Sequence, residues 1–434
     1  MTMTGKSYYE DKLVSADDAA KLVESGQRVV LGHACGEPRM VVRALVKREH
    51  ELRNVEIVHM VAMGEGLYCR PEYAHAFRHN GLFIGSATKQ AVAGGRADYT
   101  PCFFSQIPSL FRDNLLPVDV AMIVVSPPDE NGYMSLGISV DYTKQAALSA
   151  KLIIAEVNEN MPRTGIHSLI HVDDIDCFVS SAMPLYELGP SRIGFTEKTI
   201  GGHISELIKD GDCLQLGIGA IPDAVLSFLH DKRDLGIHSE MISDGVMHLV
   251  EKGVINGRRK TLHAGKIVLT FIMGTANLYR WADDNPMIEA YPVDYTNDPF
   301  IIAQNDNVVS INSAIAVDLL GQVASDTIGP MQLSGVGGQV DFVRGAARSR
   351  GGRSIIALPA TAKEGAISRM VPALERGQAV TTSRNDVDYV VTEYGIAHLK
   401  GKTCADRAKA LINIAAPDFR DMLIRECKAL YGWL

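Results

Sequence analysis

The feature that most constrains how this chain can fold is a pattern that occurs twice. Near the start, Ala19-Ala-Lys-Leu-Val-Glu-Ser-Gly26-Gln-Arg-Val-Val-Leu-Gly32 leads to Glu37-Pro38 and the helical run Met40-Val-Val-Arg-Ala-Leu. Near residue 200, Ile204-Ser-Glu-Leu-Ile-Lys-Asp-Gly211-Asp-Cys-Leu-Gln-Leu-Gly217 leads to Ile221-Pro222 and Ala224-Val-Leu-Ser-Phe-Leu. In each copy a helical segment, a glycine, a short apolar strand and a second glycine follow one another, then a turn, a proline and a new helix. A duplicated segment of this length implies two similar α/β domains. The boundary belongs near residues 185 to 200, where Pro184-Leu-Tyr-Glu-Leu-Gly189-Pro190-Ser has the composition of a connection. We expect an N-terminal domain over 1–190 and a C-terminal one over 191–434.

Short Val- and Ile-rich runs alternate with helical patterns along the chain, at 29–31, 55–60, 118–125 and 152–157, then at 213–216, 267–271, 308–311, 354–358 and 389–392. Their shortness and the helices between them predict βα units on buried, mostly parallel sheets. The expected fold class is α/β, with two tandem open α/β domains. Ligands of such sheets bind beyond the carboxyl ends of the strands, which leads us to expect a site in a cleft between the halves.

At 434 residues the chain is too long for one ordinary core. A net charge of -8 with scattered basic residues gives no reason to expect nucleic acid. Seven dispersed cysteines without a CxxC spacing point to reduced thiols, hence to the cytoplasm, and Cys102 and Cys213 read as buried and inert. Met1-Thr-Met-Thr-Gly-Lys is not followed by an apolar leader, and no run reaches membrane-spanning length. The 13 histidines form no HExxH, and neither GxSxG nor a P-loop occurs, so no metal is expected.

Three segments stand out chemically. Leu214-Gln-Leu-Gly217-Ile-Gly219-Ala-Ile-Pro222 ends a strand and opens a helix, where glycines permit close backbone approach and the helix offers free amides. A plain strand-to-helix turn would look the same, but the first copy reads Gly32-His-Ala, so the two have diverged at this point. Gly236-Ile-His-Ser-Glu240-Met-Ile-Ser-Asp-Gly245 puts a lone glutamate at a strand end before a helix with N-capping chemistry. Ser334-Gly-Val-Gly337-Gly338-Gln339-Val-Asp341 is predicted to be a nest of amides entering a helix. A carboxylate nucleophile with amide donors nearby suits covalent acyl chemistry.

These segments, with Val124-Val-Ser-Pro-Pro-Asp, Thr381-Thr-Ser-Arg-Asn-Asp and Val391-Thr-Glu-Tyr-Gly-Ile-Ala397, closely resemble the family I coenzyme A transferases, in the acetyl-CoA hydrolase/transferase branch. The resemblance covers almost the whole chain. It implies a two-domain CoA-transferase-like α/β fold and a ping-pong reaction through a glutamyl-CoA thioester, with Glu240 matching the nucleophile. The family's CoA-contacting positions fall on Gly217, Ile218, Gly219, Ala220, Ile221, Ile315 and Gly338. It further implies an acyl-CoA and a short carboxylic acid such as acetate, butyrate or 4-hydroxybutyrate as the small-molecule partners. It also implies no cofactor beyond CoA as substrate and a homo-oligomer, most simply a dimer, and we expect neither a membrane nor a nucleic acid as partner. A hydrolase using the same glutamate with water, and a non-catalytic CoA-binding scaffold, are the competing readings.

Overall fold

The computed structural model describes residues 9–433. The opening Met1-Thr-Met-Thr-Gly-Lys segment, read above as lacking a leader, lies outside the described residues. The chain forms two compact units. The first comprises the residues up to Gly189 together with Val268–Thr296, and the second Pro190–Ile267 together with Asn297 onward. Residues 268–296 therefore belong with the first unit, so the chain is not divided by a single break near 190.

The first unit is built on a seven-stranded sheet. Helix α1 (Ala16–Ala20) precedes β1 (Arg28–Leu31), which is followed by α2 (Arg39–Lys47). The remaining strands are β2 (Val55–Met60), β3 (Phe77–Phe83), β4 (Ala97–Tyr99), β5 (Val120–Val125), β6 (Leu152–Asn158) and β7 (Cys177–Ser181). They lie in the order β4-β3-β2-β1-β5-β6-β7, and each pair is parallel. Every residue of β5 is buried, as a strand covered on both faces must be. Helix α2 turns Val41, Val42, Leu45 and Val46 onto β1 and β2 while Arg43 and Lys47 stay in water, the amphipathic pattern of a helix on a sheet.

The second unit repeats this plan. Helix α3 (Phe195–Leu207), β8 (Cys213–Leu216) and α4 (Ala220–Ser227) stand where α1, β1 and α2 stand in the first. Next come β9 (Gly236–His238), α5 (Asp244–Glu251), β10 (Val308–Ser313), α6 (Gln339–Arg348), β11 (Arg353–Ala357), β12 (Tyr389–Thr392) and β13 (Gly395–His398). Within this unit the order is β9-β8-β10-β11-β12-β13, parallel except for the final hairpin. In both copies the repeated strand is flanked by the strand that follows it and by a later one. The glycines that open them, Gly26 and Gly211, share a left-handed turn with φ of +82° and +80°. The duplication read in the sequence is thus a duplication of topology.

Among the described residues no helix is long and apolar enough to cross a membrane. No group of three or more His, Cys, Asp or Glu side chains among them is placed to share a metal ion.

Candidate active site

The site is built at the carboxyl edge of the second unit's sheet. Strands β8 and β9 run parallel, with Cys213 opposite Gly236 and Leu214 opposite Ile237. Continued along the strands, this register puts Ser239 beside Leu216 and Glu240 beside Gly217. Ser239 fixes it there. Its buried hydroxyl donates to the Leu216 carbonyl at 3.1 Å and accepts from the Leu216 amide at 3.3 Å. The clasp holds two strand ends level, one residue before the glycine turn on one strand and the glutamate on the other.

Glu240 lies half-buried in the bend after β9. Its Oε2 accepts a hydrogen bond from Asn297 Nδ2 at 3.1 Å. Asn297 is fully buried, and its Oδ1 has no partner. Sequence reasoning missed this residue. Its only local signal, Asn297-Asp298-Pro299, reads as the start of a helix, and the structure does place one at Pro299–Ile302, capped by Asp298. That Asn297 faces Glu240 depends on a separation of 57 residues that no local pattern encodes.

Gly338 closes the other side. It is the N-cap residue of α6, and a Cβ there would run into Glu240 Oε2 and Asn297 Nδ2. Only glycine lets the helix N-terminus, with its unsatisfied amides and partial positive charge, abut the carboxylate. The segment read as an amide nest is a glycine turn into a helix that begins at Gln339, so Gln339, Val340 and Asp341 already belong to its first turn. Ser243 does occupy the N-cap of α5 as expected, yet its side chain makes no capping hydrogen bond.

Gly217 and Gly219 are glycines for a different reason. Nothing stands within 4 Å of where a Cβ would sit on either. Gly219 also has φ of +113° as the N-cap of α4, a conformation that side chains strongly disfavour. The space above this turn is open, at a helix N-terminus suited to a polarised carbonyl or an anion. Ile218 between them is 46% exposed, while Ala220 is half-buried and Ile221 is buried, so Ile221 has backbone rather than side chain to offer a ligand. Ile315 occupies the bend after β10, and its amide donates to the Ala324 carbonyl at 2.8 Å.

In the first copy the matching turn is closed. A Cβ on Gly32 would meet the Gly36 carbonyl oxygen at 2.6 Å, and Ala34 holds φ of +50° where the second copy has Gly219. His33 is turned inward, fully buried, with Nδ1 3.1 Å from Asp141 Oδ2. One copy has filled its turn with its own chain, and the other has left it open beside a carboxylate.

Paired parallel-sheet units and a glutamate held at a strand edge between an open glycine turn and a helix N-terminus define the class: an α/β enzyme of acyl chemistry. The chain belongs to the acetyl-CoA hydrolase/transferase family, matching the model of its N-terminal domain over residues 2–183 and that of its C-terminal domain over 274–427. It is 60% identical to the 4-hydroxybutyrate coenzyme A transferase of Clostridium kluyveri, across 98% of this chain and 99% of that one. It is 38% identical to the butyryl-CoA:acetate CoA-transferase of Anaerostipes caccae, across 99% of each. Among solved structures, the 4-hydroxybutyrate CoA-transferase of Porphyromonas gingivalis superposes with a TM-score of 0.85 at 43% identity, covering 98% of this chain and 100% of that one.

Proposed function

We propose that the protein is an acyl-CoA:carboxylate CoA-transferase that moves CoA between short acids, with acetate and butyrate or 4-hydroxybutyrate as the exchanging pair. The observation that carries the chemistry is the placement of Glu240, paired with Asn297, against the glycine N-cap of α6 and level with the open turn at Gly217.

In this reading a Glu240 oxygen attacks the thioester carbonyl of an acyl-CoA. A new C–O bond forms, the C–S bond breaks, and CoA leaves as the thiolate from a mixed anhydride. The thiolate then attacks the glutamyl carbonyl, the anhydride C–O bond breaks, and the first acid departs as its carboxylate. The resulting glutamyl-CoA thioester is attacked by the second carboxylate, and the same two steps in reverse release the new acyl-CoA and free Glu240. No proton is consumed. A carboxylate is a weak nucleophile, so the rate must come from positioning and from donors to the developing oxyanion, each worth roughly 3 kcal/mol in hydrolases. The residues assigned to CoA are Gly217, Ile218, Gly219, Ala220, Ile221, Ile315 and Gly338. The reading carries with it a cytoplasmic location, consistent with seven cysteines free of disulfides, a homodimer, and no cofactor beyond CoA.

The test is to supply butyryl-CoA with and without labelled acetate. Acetate-dependent formation of labelled acetyl-CoA, with little free thiol, is the expected result. Steady thiol release indifferent to acetate would instead make the protein a hydrolase on the same glutamate.

A further inference from the structure

The edge beside Glu240 carries a polar side chain that nothing above uses. Strand β10 pairs with β8 on the side away from β9, with Leu216 opposite Ile311, so the next residue, Asn312, flanks Gly217. Continued one residue past β8 and two past β9, the register sets Glu240, Gly217 and Asn312 in one row, and Asn312, still within β10, shares the face of Ser310 and Gln215. At about 4.8 Å between strands, the backbones of Glu240 and Asn312 stand about 10 Å apart. Between them is a residue without a side chain, over open space.

Asn312 is held by a network one step further in. Gln215 and Ser310 face each other in the register and are buried. Asn312 Nδ2 donates to Gln215 Oε1 at 3.1 Å and to Ser310 Oγ at 2.9 Å. Ser310 Oγ donates to Gln215 Oε1 at 2.7 Å, and Gln215 Nε2 donates to Asn312 Oδ1 at 3.4 Å. Both N–H bonds of the Asn312 amide are thus committed inward. The carbonyl Oδ1, with one long contact, retains acceptor capacity for a ligand. Burying a Gln and a Ser in the middle of a parallel sheet is unfavourable unless their bonds are satisfied, and the arrangement that satisfies them fixes which way Asn312 is turned.

Resting on the transferase reading, we propose that Asn312 Oδ1 accepts a hydrogen bond from the pantetheine amide N–H nearest the CoA sulfur. That amide nitrogen is two methylenes from the sulfur. The arm crosses the bare backbone of Gly217 with its sulfur end toward Glu240 and its first amide at Asn312. Asn312 is then a substrate-positioning residue that aligns the thioester with the nucleophile.

The experiment is a cycle between protein and substrate, using butyryl-CoA and an analogue with that single amide N–H replaced by an ester oxygen. In the unaltered protein the analogue should lose about tenfold in kcat/KM, the size of one well-placed neutral hydrogen bond. Asn312→Ala should lose a similar factor with butyryl-CoA and lose nothing further with the analogue. Gln215→Leu, which frees Asn312 to turn, should erode the same discrimination while leaving the circular dichroism spectrum unchanged. Strictly additive losses in the cycle would overturn the proposal. Should Asn312→Ala fail to fold, the unaltered protein decides alone, since equal kcat/KM for the two substrates would equally overturn it. Failure of the unaltered protein to exchange acyl groups with butyryl-CoA itself would refute the transferase reading instead.

Discussion

Asn297 donates to Glu240 across 3.1 Å, and position 338, where a Cβ would run into both side chains, is a glycine. The carboxylate is thereby held at the edge of the sheet by a buried amide and a bare helix N-terminus. Asn297→Ala should fold and slow transfer by about ten- to a hundredfold, the range expected when a buried hydrogen bond to a charged group is lost. Asn297→Asp should be slower still, because it sets a second carboxylate beside the first. Initial rates of acetyl-CoA formation check both, and rates equal to the unaltered protein would make the pairing incidental.

The glycines separate into two kinds, and substitution should reveal this. Gly338→Ala forces a methyl group into Glu240 and Asn297, so it should remove more than about 99% of transfer activity and lower the unfolding midpoint. Gly217→Ala meets nothing in the protein itself, so its urea midpoint should be unchanged while KM for acyl-CoA rises. A Gly217→Ala protein that is destabilised but kinetically normal would mean that the open turn is structural only.

Much of this was legible in the sequence because it is written in local terms. The repeat predicted β1 and β8 with their flanking helices, and the buried strands announced themselves as Val and Ile runs. Strand β3 was not legible, because Arg78, His79, Asn80 and Gly81 break any apolar pattern. Two of its polar groups are paired across strands, His79 Nδ1 with the Ile57 carbonyl at 3.0 Å and Asn80 Nδ2 with Glu56 at 2.9 Å, while His79 Nε2 is buried without a partner. Glu240 and the glycine turns could be picked out because each sits at a strand end. Asn297 and Asn312 could not, since what marks them is register and long-range contact rather than their neighbours in the chain. The single break near 190 failed to reveal that residues 268–296 return to the first unit, for the same reason.

Acid should weaken the fold in a window set by His79. Burial pushes its imidazole down to about 4 from an ordinary value near 6.5. Between these values the unfolded chain binds a proton that the folded protein does not. The stability is therefore fully present above about 6.5 and is lost as pH falls toward 4, by up to about 3 kcal/mol from this group. Fully buried His59 is shifted in the same direction, again chiefly by burial. Urea midpoints measured from pH 7 to pH 5 should fall, and His79→Gln should fall less steeply. An identical slope in the two proteins would contradict the assignment.

The thiols should divide by burial. Desolvation pushes Cys213 up to about 11 and Cys69 up to about 12, whereas Cys404 and also Cys102, which the sequence led us to expect buried and inert, are partly exposed. At pH 8 a disulfide reagent should label Cys102 and Cys404 in the native protein, and should reach Cys69 and Cys213 only in urea. Rapid native labelling of Cys213, followed by mass spectrometry of its peptide, would contradict the packing beneath α6.

The central claim is that Glu240 carries CoA during turnover, and intact-mass spectrometry after addition of butyryl-CoA without acceptor acid tests it most directly. The account predicts a CoA-sized increment that maps to the peptide containing Glu240, disappears when acetate is added, and is absent from Glu240→Ala. Acetate-dependent exchange without any adduct, or an adduct that persists in Glu240→Ala, would contradict it.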